Sequence, residues 1–202
     1  AGAREVYLID EPVAAAIGAS LPVTDPVGTM IVDIGGGTTE VAVLSLGGTV
    51  VSESVRVAGD EINESIANYL KKKHNMVVGE RTAEKIKIKI GSAFPDNNHD
   101  NTSFEVKGLH LSSGLPRSIT LNAGEIREAM AEPLNKIIEA VKRTLERTPP
   151  ELAADIVERG IMIAGGGALV RGISDLLTHE TGIFAHIAEN PLLCVVNGCG
   201  AV

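Results

Sequence analysis

The chain has 202 residues, 44% of them hydrophobic but only 2% aromatic and none Trp, so its core is built from Ile, Val, Leu and Ala, in an amount that suits one or two compact α/β domains. Its 18 basic and 26 acidic residues leave a net charge of −8, with no basic block large enough for general nucleic-acid binding. No apolar run reaches the length of a membrane span, the five His show no metal-ligand spacing, and Cys194 and Cys199 read as small core residues of a reduced protein.

The chain begins without Met and stops inside an apolar run, which reads as a piece of a longer protein. Val6, Tyr7, Leu8 and Ile9 are expected to form a buried strand. Asp10, Glu11 and Pro12 follow, then a short apolar helix stopped by Gly18. Proline suits a first helical turn and a carboxylate suits the positive end of the dipole. Taken alone, Glu11 therefore reads as a helix-terminal acid. Residues 21–28 carry Pro22, Asp25, Pro26 and Gly28 and read as a turn.

Three strands are expected next, over residues 29–33, 39–46 and 49–57, with Gly47 and Gly48 as a hairpin turn between the last two. Between the first and second lies Asp33, Ile34, Gly35, Gly36, Gly37, Thr38, Thr39 and Glu40. Glycines in a turn permit positive φ and let a ligand approach the backbone without meeting a Cβ. Exposed N–H groups of such a turn attract anions, and an acid just before it suits a hydrated cation that neutralises a phosphate. A plain glycine-rich hairpin accounts for the same residues.

Ala58, Gly59 and Asp60 open a helix with Ile62, Ile66, Tyr69 and Leu70 at helical spacing and Lys71, Lys72 and Lys73 at its C-terminal end. Asn75 and Gly79 flank a short apolar bridge. A second helix is expected over residues 82–93, although the alternation of Ile86, Ile88 and Ile90 with Lys85, Lys87 and Lys89 also fits a strand. Residues 95–103 form a polar loop. His74, His99 and His110, in or near turns and strand edges, read as solvated. A hairpin over residues 104–111 and 117–121 leads to a capping-box start at Asn122 and Glu125. The long helix that follows carries Ile126, Met130, Leu134, Ile137, Val141 and Leu145 on one face, and Pro133 is expected to kink or split it. Another helix runs over residues 151–158.

The opening theme then repeats. A strand over residues 160–164 is followed by Gly165, Gly166 and Gly167, this time with a helix expected over residues 169–180. A glycine turn before a helix N-terminus aims both donors and dipole at a ligand, but close helix–strand packing also demands glycine. A strand at residues 183–187 and a last helix from Asn190 and Pro191 complete the chain.

Two strand–glycine turns, an acid on the first, Gly59 on a helix between them and a helix bearing Glu and Lys resemble the actin and sugar-kinase superfamily. The strings LIDEPVAAAIGASLPV, VDIGGGTTEVAVLSLGG, VAGDEINESI, GERTAEKIKIKIGSAFP, LSSGLPRSITL, TPPELAADIVERGIMIAGGGALVRGI and ETGI resemble the MreB family of bacterial actin homologues along essentially the whole chain. The resemblance implies an α/β, actin-like (ribonuclease H-like) ATPase fold, mainly its second large domain with a small outer subdomain. Residues 1–21 would end the first domain and 194–202 return toward it. Residues 22–56 and 129–193 would form the core of the second domain, and 57–128 its outer subdomain.

It further implies ATP and Mg²⁺ as cofactors. Asp33 would sit near the metal's waters, and Gly35, Gly36, Gly37 and Thr38 would wrap the phosphates, with the Thr38 and Thr39 hydroxyls nearby. Glu11 would orient the attacking water, where a carboxylate acts as general base. Gly59 and Asp60 would line the cleft, Glu84 and Lys87 would hold ribose and base, and Gly165, Gly166, Gly167 and Ala168 would form the adenosine loop. The family's first phosphate loop and membrane-inserting segment have no match here. This chain is thus expected to present one wall of an ATP cleft, binding ATP weakly and not hydrolysing it alone. ATPase activity is expected of the full-length parent. The implied function is a cytoplasmic filament at the inner face of the cell membrane. It would associate with itself and with cell-wall synthesis and membrane shape-determining proteins, not with nucleic acid, to organise wall growth and rod shape. A metabolic kinase or a chaperone-type ATPase of the same superfamily is the alternative.

Overall fold

The computed structural model describes residues 2, 4–96 and 100–201; His99 and the middle of the polar loop lie outside the described residues. The elements run α1 (Glu11–Gly18), β1 (Thr29–Ile34), β2 (Thr39–Ser45), β3 (Gly48–Val55), α2 (Gly59–His74), β4 (Met76–Val77), α3 (Glu80–Ile90), β5 (Ser103–His110), β6 (Pro116–Asn122), α4 (Ala123–Glu146), α5 (Pro150–Arg159), β7 (Ile161–Ala164), α6 (Ile173–Thr181), β8 (Ala185–Ile187) and α7 (Cys194–Ala201). Short 3-10 helices sit at Gly166–Leu169 and Pro191–Leu193.

A five-stranded sheet has the order β3-β2-β1-β7-β8. The meander β1–β2–β3 is antiparallel, and β1, β7 and β8 are parallel. Every residue of β1 is buried, because helices cover both faces of the sheet. Alternation along the strand divides them. Met30, Val32 and Ile34 join the large core beneath α2, α3 and α4. Ile31 joins the smaller core made with α1 and the start of α7. Asp33 shares the parity of Ile31 and so belongs to the α1 face. Gly18 and Gly198 let α1 and α7 cross closely. A Cβ on Gly198 would lie 1.8 Å from the Ala14 carbonyl oxygen, and one on Gly18 1.8 Å from that of Cys194. A second, antiparallel sheet, β4-β5-β6, packs against α2, α3 and α4.

Helix boundaries follow local chemistry. Asn122 and Glu125 form the expected capping box at the start of α4. The residues of α3 are helical rather than extended, with Ala83, Ile86 and Ile90 buried on one face.

Several expectations fail for physical reasons. Residues 6–9 are not a strand. No strand among the described residues pairs with them, and Val6, Tyr7 and Leu8 stand exposed, Leu8 at 98%. Of the two outcomes expected of Pro133, a kink or a split, the split does not occur: α4 is one helix from Ala123 to Glu146. A proline leaves the carbonyl four residues earlier without its helical donor. Here that carbonyl, on Ala129, accepts a 2.6 Å hydrogen bond from the Ser65 hydroxyl of α2. The β2–β3 turn is Leu46 and Gly47, one residue earlier than expected, with φ of 52° and 78°. Positive φ at both central residues is the type I′ geometry that matches strand twist. The helix after the second glycine triplet begins at Ile173, not 169, because the chain first makes a 3-10 turn and then a left-handed Gly172. His74 is half-buried, 3.2 Å from the Glu125 carboxylate, rather than solvated. Cys194 is buried as expected, but Cys199 is exposed.

Candidate functional site

The parallel pairing of β1 with β7 places Asp33 opposite Ala164. The two glycine triplets, far apart in sequence, therefore leave the sheet side by side at the same end. They serve different purposes. At Gly165, φ is +81°, and a Cβ would lie 2.3 Å from the Ile34 carbonyl oxygen and 2.4 Å from a carboxylate oxygen of Asp33. At Gly167 a Cβ would lie 2.2 Å from Cγ2 of Ile34. Packing of this loop on β1 thus requires both glycines. At Gly36 a Cβ would meet only Asp60 oxygens at 3.6 Å or more, and at Gly37 nothing within 4 Å. Gly35, Gly36 and Gly37 do not adopt positive φ. Neither packing nor conformation demands glycine at 36 and 37, and the remaining use of a missing side chain is close approach of a ligand to the backbone.

The first triplet is held from behind. The Gly35 N–H donates to Thr38 O at 2.9 Å. The N–H groups of Gly59 and Asp60, at the start of α2, donate to the carbonyls of Gly35 and Gly36 at 3.1 and 2.8 Å. Lys87 reaches across from α3 and donates to Gly59 O at 3.0 Å. Burial pushes the Lys87 ammonium below its ordinary range, opposed by the carboxylates of Glu84 and Asp60. The Thr39 hydroxyl is spent on Val57 O at 2.7 Å, whereas Thr38 is exposed at the turn.

A cavity of about 450 Å³ opens between these parts, lined by Gly35, Gly36, Gly59, Asp60, Glu84 and Lys87 on one side and Gly166 and Gly167 on the other. Of the residues singled out from sequence, these eight converge. Gly37, Thr38, Gly165 and Ala168 flank the lining without joining it, and Ala168 is fully buried. Glu11 and Asp33 also stand outside it and form a separate acidic corner on the α1 face. Asp33 is only 3% exposed. Its pKa is raised from 3.8 to about 6 by burial and by the nearby charges of Glu11 and Glu40. Sequence reasoning missed Asn63, Ile88, Leu169, Val170 and Leu192, which complete the cavity lining. Asn63 was reachable, since it lies one helical turn beyond Gly59 and Asp60. The apolar residues read only as core.

The profile of the MreB/Mbl protein family matches residues 1–202.

The chain belongs to the MreB/Mbl family.

It is 56% identical over 200 residues to the cell shape-determining protein MreB of Escherichia coli (strain K12), a match covering 99% of this chain and 57% of that protein. It is 49% identical over 201 residues to the cell shape-determining protein Mbl of Bacillus subtilis (strain 168), covering 60% of it. The crystal structure of MreB 5 of Spiroplasma citri bound to AMPPNP superposes with a TM-score of 0.95 at 38% identity, covering 99% of this chain and 60% of that one. The fold is therefore the actin-like ATPase fold. The chain spans 57–60% of the length of these MreB/Mbl relatives. No helix among the described residues is long and apolar enough to cross a membrane.

Proposed function

We propose that this chain supplies one wall of the nucleotide cleft of an ATP-dependent, filament-forming protein that organises cell-wall synthesis and rod shape. The observation that carries the reading is the convergence of Gly35, Gly36, Gly59, Asp60, Glu84, Lys87, Gly166 and Gly167 on one cavity. The relative from Spiroplasma citri holds AMPPNP, and the relative from Escherichia coli is a cell shape-determining protein.

In this reading the turn from Gly35 to Thr38 wraps the β- and γ-phosphates, with the N–H groups of Gly36 and Gly37 turned to them while that of Gly35 holds the turn through Thr38 O. Gly59 and Asp60 line the middle of the cleft, Glu84 and Lys87 hold ribose and base, and Gly165, Gly166, Gly167 and Ala168 carry the adenosine. The acidic corner fits Mg²⁺ held through water. Among the described residues no group of three or more His, Cys, Asp or Glu side chains is placed to hold a metal directly, yet Asp33 is buried near the charges of two other carboxylates. A hydrated divalent cation neutralises such a cluster. When bound, Mg²⁺ supplies charge neutralisation of the phosphates. Glu11, exposed at the start of α1, orients and polarises the attacking water. Hydrolysis then acts as a timer on assembly. The filament lies in the cytoplasm at the inner membrane face, with self-association and wall-synthesis and shape-determining proteins as its partners.

Sedimentation and electron microscopy of the protein at its natural length, with and without Mg-ATP, test this. Paired protofilaments that need the nucleotide are expected. Soluble monomers that turn over a sugar overturn it.

A further inference from the structure

One buried polar group at the cavity is unaccounted for by the contacts above. Asn63, on α2, is 4% exposed, and its side-chain oxygen is buried without a hydrogen-bond partner. Buried amide oxygens are nearly always paired, and leaving one an orphan is destabilising. Asn63 lines the cavity together with Asp60, Glu84 and Lys87. It also lines a neighbouring acidic depression with Asp60, Glu61, Glu64 and Glu80. A phosphate, which only accepts hydrogen bonds, meets repulsion on such a wall. A flat base fits the apolar part of the lining, at Ile88, Leu169, Val170 and Leu192. A sugar diol fits the remaining wall. Hydroxyls can donate to Asp60 and Glu84; the Asn63 oxygen is shielded from the cavity as it stands, and a turn of the amide about its last torsion lets the side chain donate to or accept from a hydroxyl there.

We propose that Asn63 is a further binding residue, whose side-chain amide hydrogen-bonds a ribose hydroxyl of the nucleotide and so makes the site prefer ribonucleotides over deoxyribonucleotides. The assignment rests on the nucleotide reading above. A site built to hydrogen-bond a hydroxyl rejects the analogue that lacks it, because its own polar group is then left unpaired.

The test is titration of Mg-ATP, Mg-2′-deoxy-ATP, Mg-3′-deoxy-ATP and Mg-ITP into the protein at its natural length, unaltered and as Asn63→Ala and Asn63→Leu. In the unaltered protein at least one deoxy analogue is expected to bind roughly fivefold to tenfold more weakly than ATP. In either variant ATP weakens by a similar factor and the deoxy penalty disappears, a coupling that general loosening of α2 does not produce. Equal affinity for ATP and both deoxy analogues in the unaltered protein overturns the assignment, whatever the variants do. So does a deoxy penalty that survives in the variants, or one that follows the exocyclic amine absent from ITP. Absence of ATP binding by the unaltered protein overturns the nucleotide reading as well. ATP binding without the coupling overturns only the role of Asn63.

Discussion

Replacing Asp33 by Asn should stabilise the nucleotide-free protein. The carboxyl is buried on the α1 face of β1, and no hydrogen bond to it is made by the described residues. Its pKa is raised from 3.8 to about 6, chiefly by burial and then by Glu11 and Glu40. Between those two values the folded state binds more protons than the unfolded state. Stability therefore falls as pH rises through that window, and the whole penalty is present above about pH 6. At 1.36 kcal/mol per pH unit the shift corresponds to about 3 kcal/mol. The buried Asn amide has its own cost when it lacks partners, leaving a net gain of about 1–2 kcal/mol. Asn keeps the shape and removes the charge. In a chain of this size each kcal/mol moves the melting temperature by about 2–4 °C. Melts in EDTA at pH 7.5 should therefore show Asp33→Asn roughly 2–8 °C above the parent. The difference should close by about pH 4, where the parent's carboxyl is protonated in the folded state. In the protein at its natural length, Mg-ATP should stabilise the unaltered form and not the variant, since ligand binding raises stability only where affinity survives. A variant that melts at or below the parent at pH 7.5 refutes the account, and so does a gap that persists at pH 4.

The two glycine triplets should separate in the same assays. Gly36→Ala has room for its Cβ and ordinary φ, so the free protein should hold or gain up to about 1 kcal/mol while Mg-ATP binding drops roughly tenfold. Gly167→Ala drives a Cβ into Ile34 and should cost about 1–3 kcal/mol without nucleotide; calorimetry and thermal melts on both variants read the contrast, and equal melting temperatures contradict it. Ser65→Ala should cost about 1–3 kcal/mol by orphaning the Ala129 carbonyl. In a Pro133→Ala background, which restores a helical N–H to that carbonyl, urea denaturation should show most of the Ser65 cost gone, and additive costs would contradict the pairing.

Much of this structure was legible in the sequence because local chemistry decided it. The apolar runs before each glycine triplet are strands, and the capping box at Asn122 and Glu125 starts a helix where expected. What was misread depends on partners distant in sequence. Val6 to Ile9 have strand composition, but a strand exists only beside another strand. Pro133 has helix-breaking chemistry, but Ser65, from another helix, takes up the carbonyl it frees. The site was half legible in the same sense. Gly35 and Gly36 announce themselves by type. Leu169 and Leu192 line the same cavity, and nothing in their residue type distinguishes a cavity wall from the core.

The register of one strand pair explains why the triplets differ. With Asp33 opposite Ala164, the loop after β7 must pass over the end of β1. Gly165 and Gly167 are consumed by that crossing, pressed on Ile34 and the Asp33 carboxylate. Only Gly166 of the second triplet keeps a replaceable position, facing the flexible tip of Leu192 at 3.3 Å. The first triplet makes no such crossing, because β1 turns back directly into β2. Its carbonyls are already held by the N–H groups of Gly59 and Asp60, so Gly36 and Gly37 are free to present backbone to a ligand. The same crossing covers Asp33 with Gly165, and burial raises its pKa, which makes the acid costly in the free protein. Alternation along β1 sets the side on which this happens. Asp33 shares its face with Ile31 and α1, so the acid and Glu11 meet because of a two-residue period, while the glycines at the strand's end open toward α2 and α3.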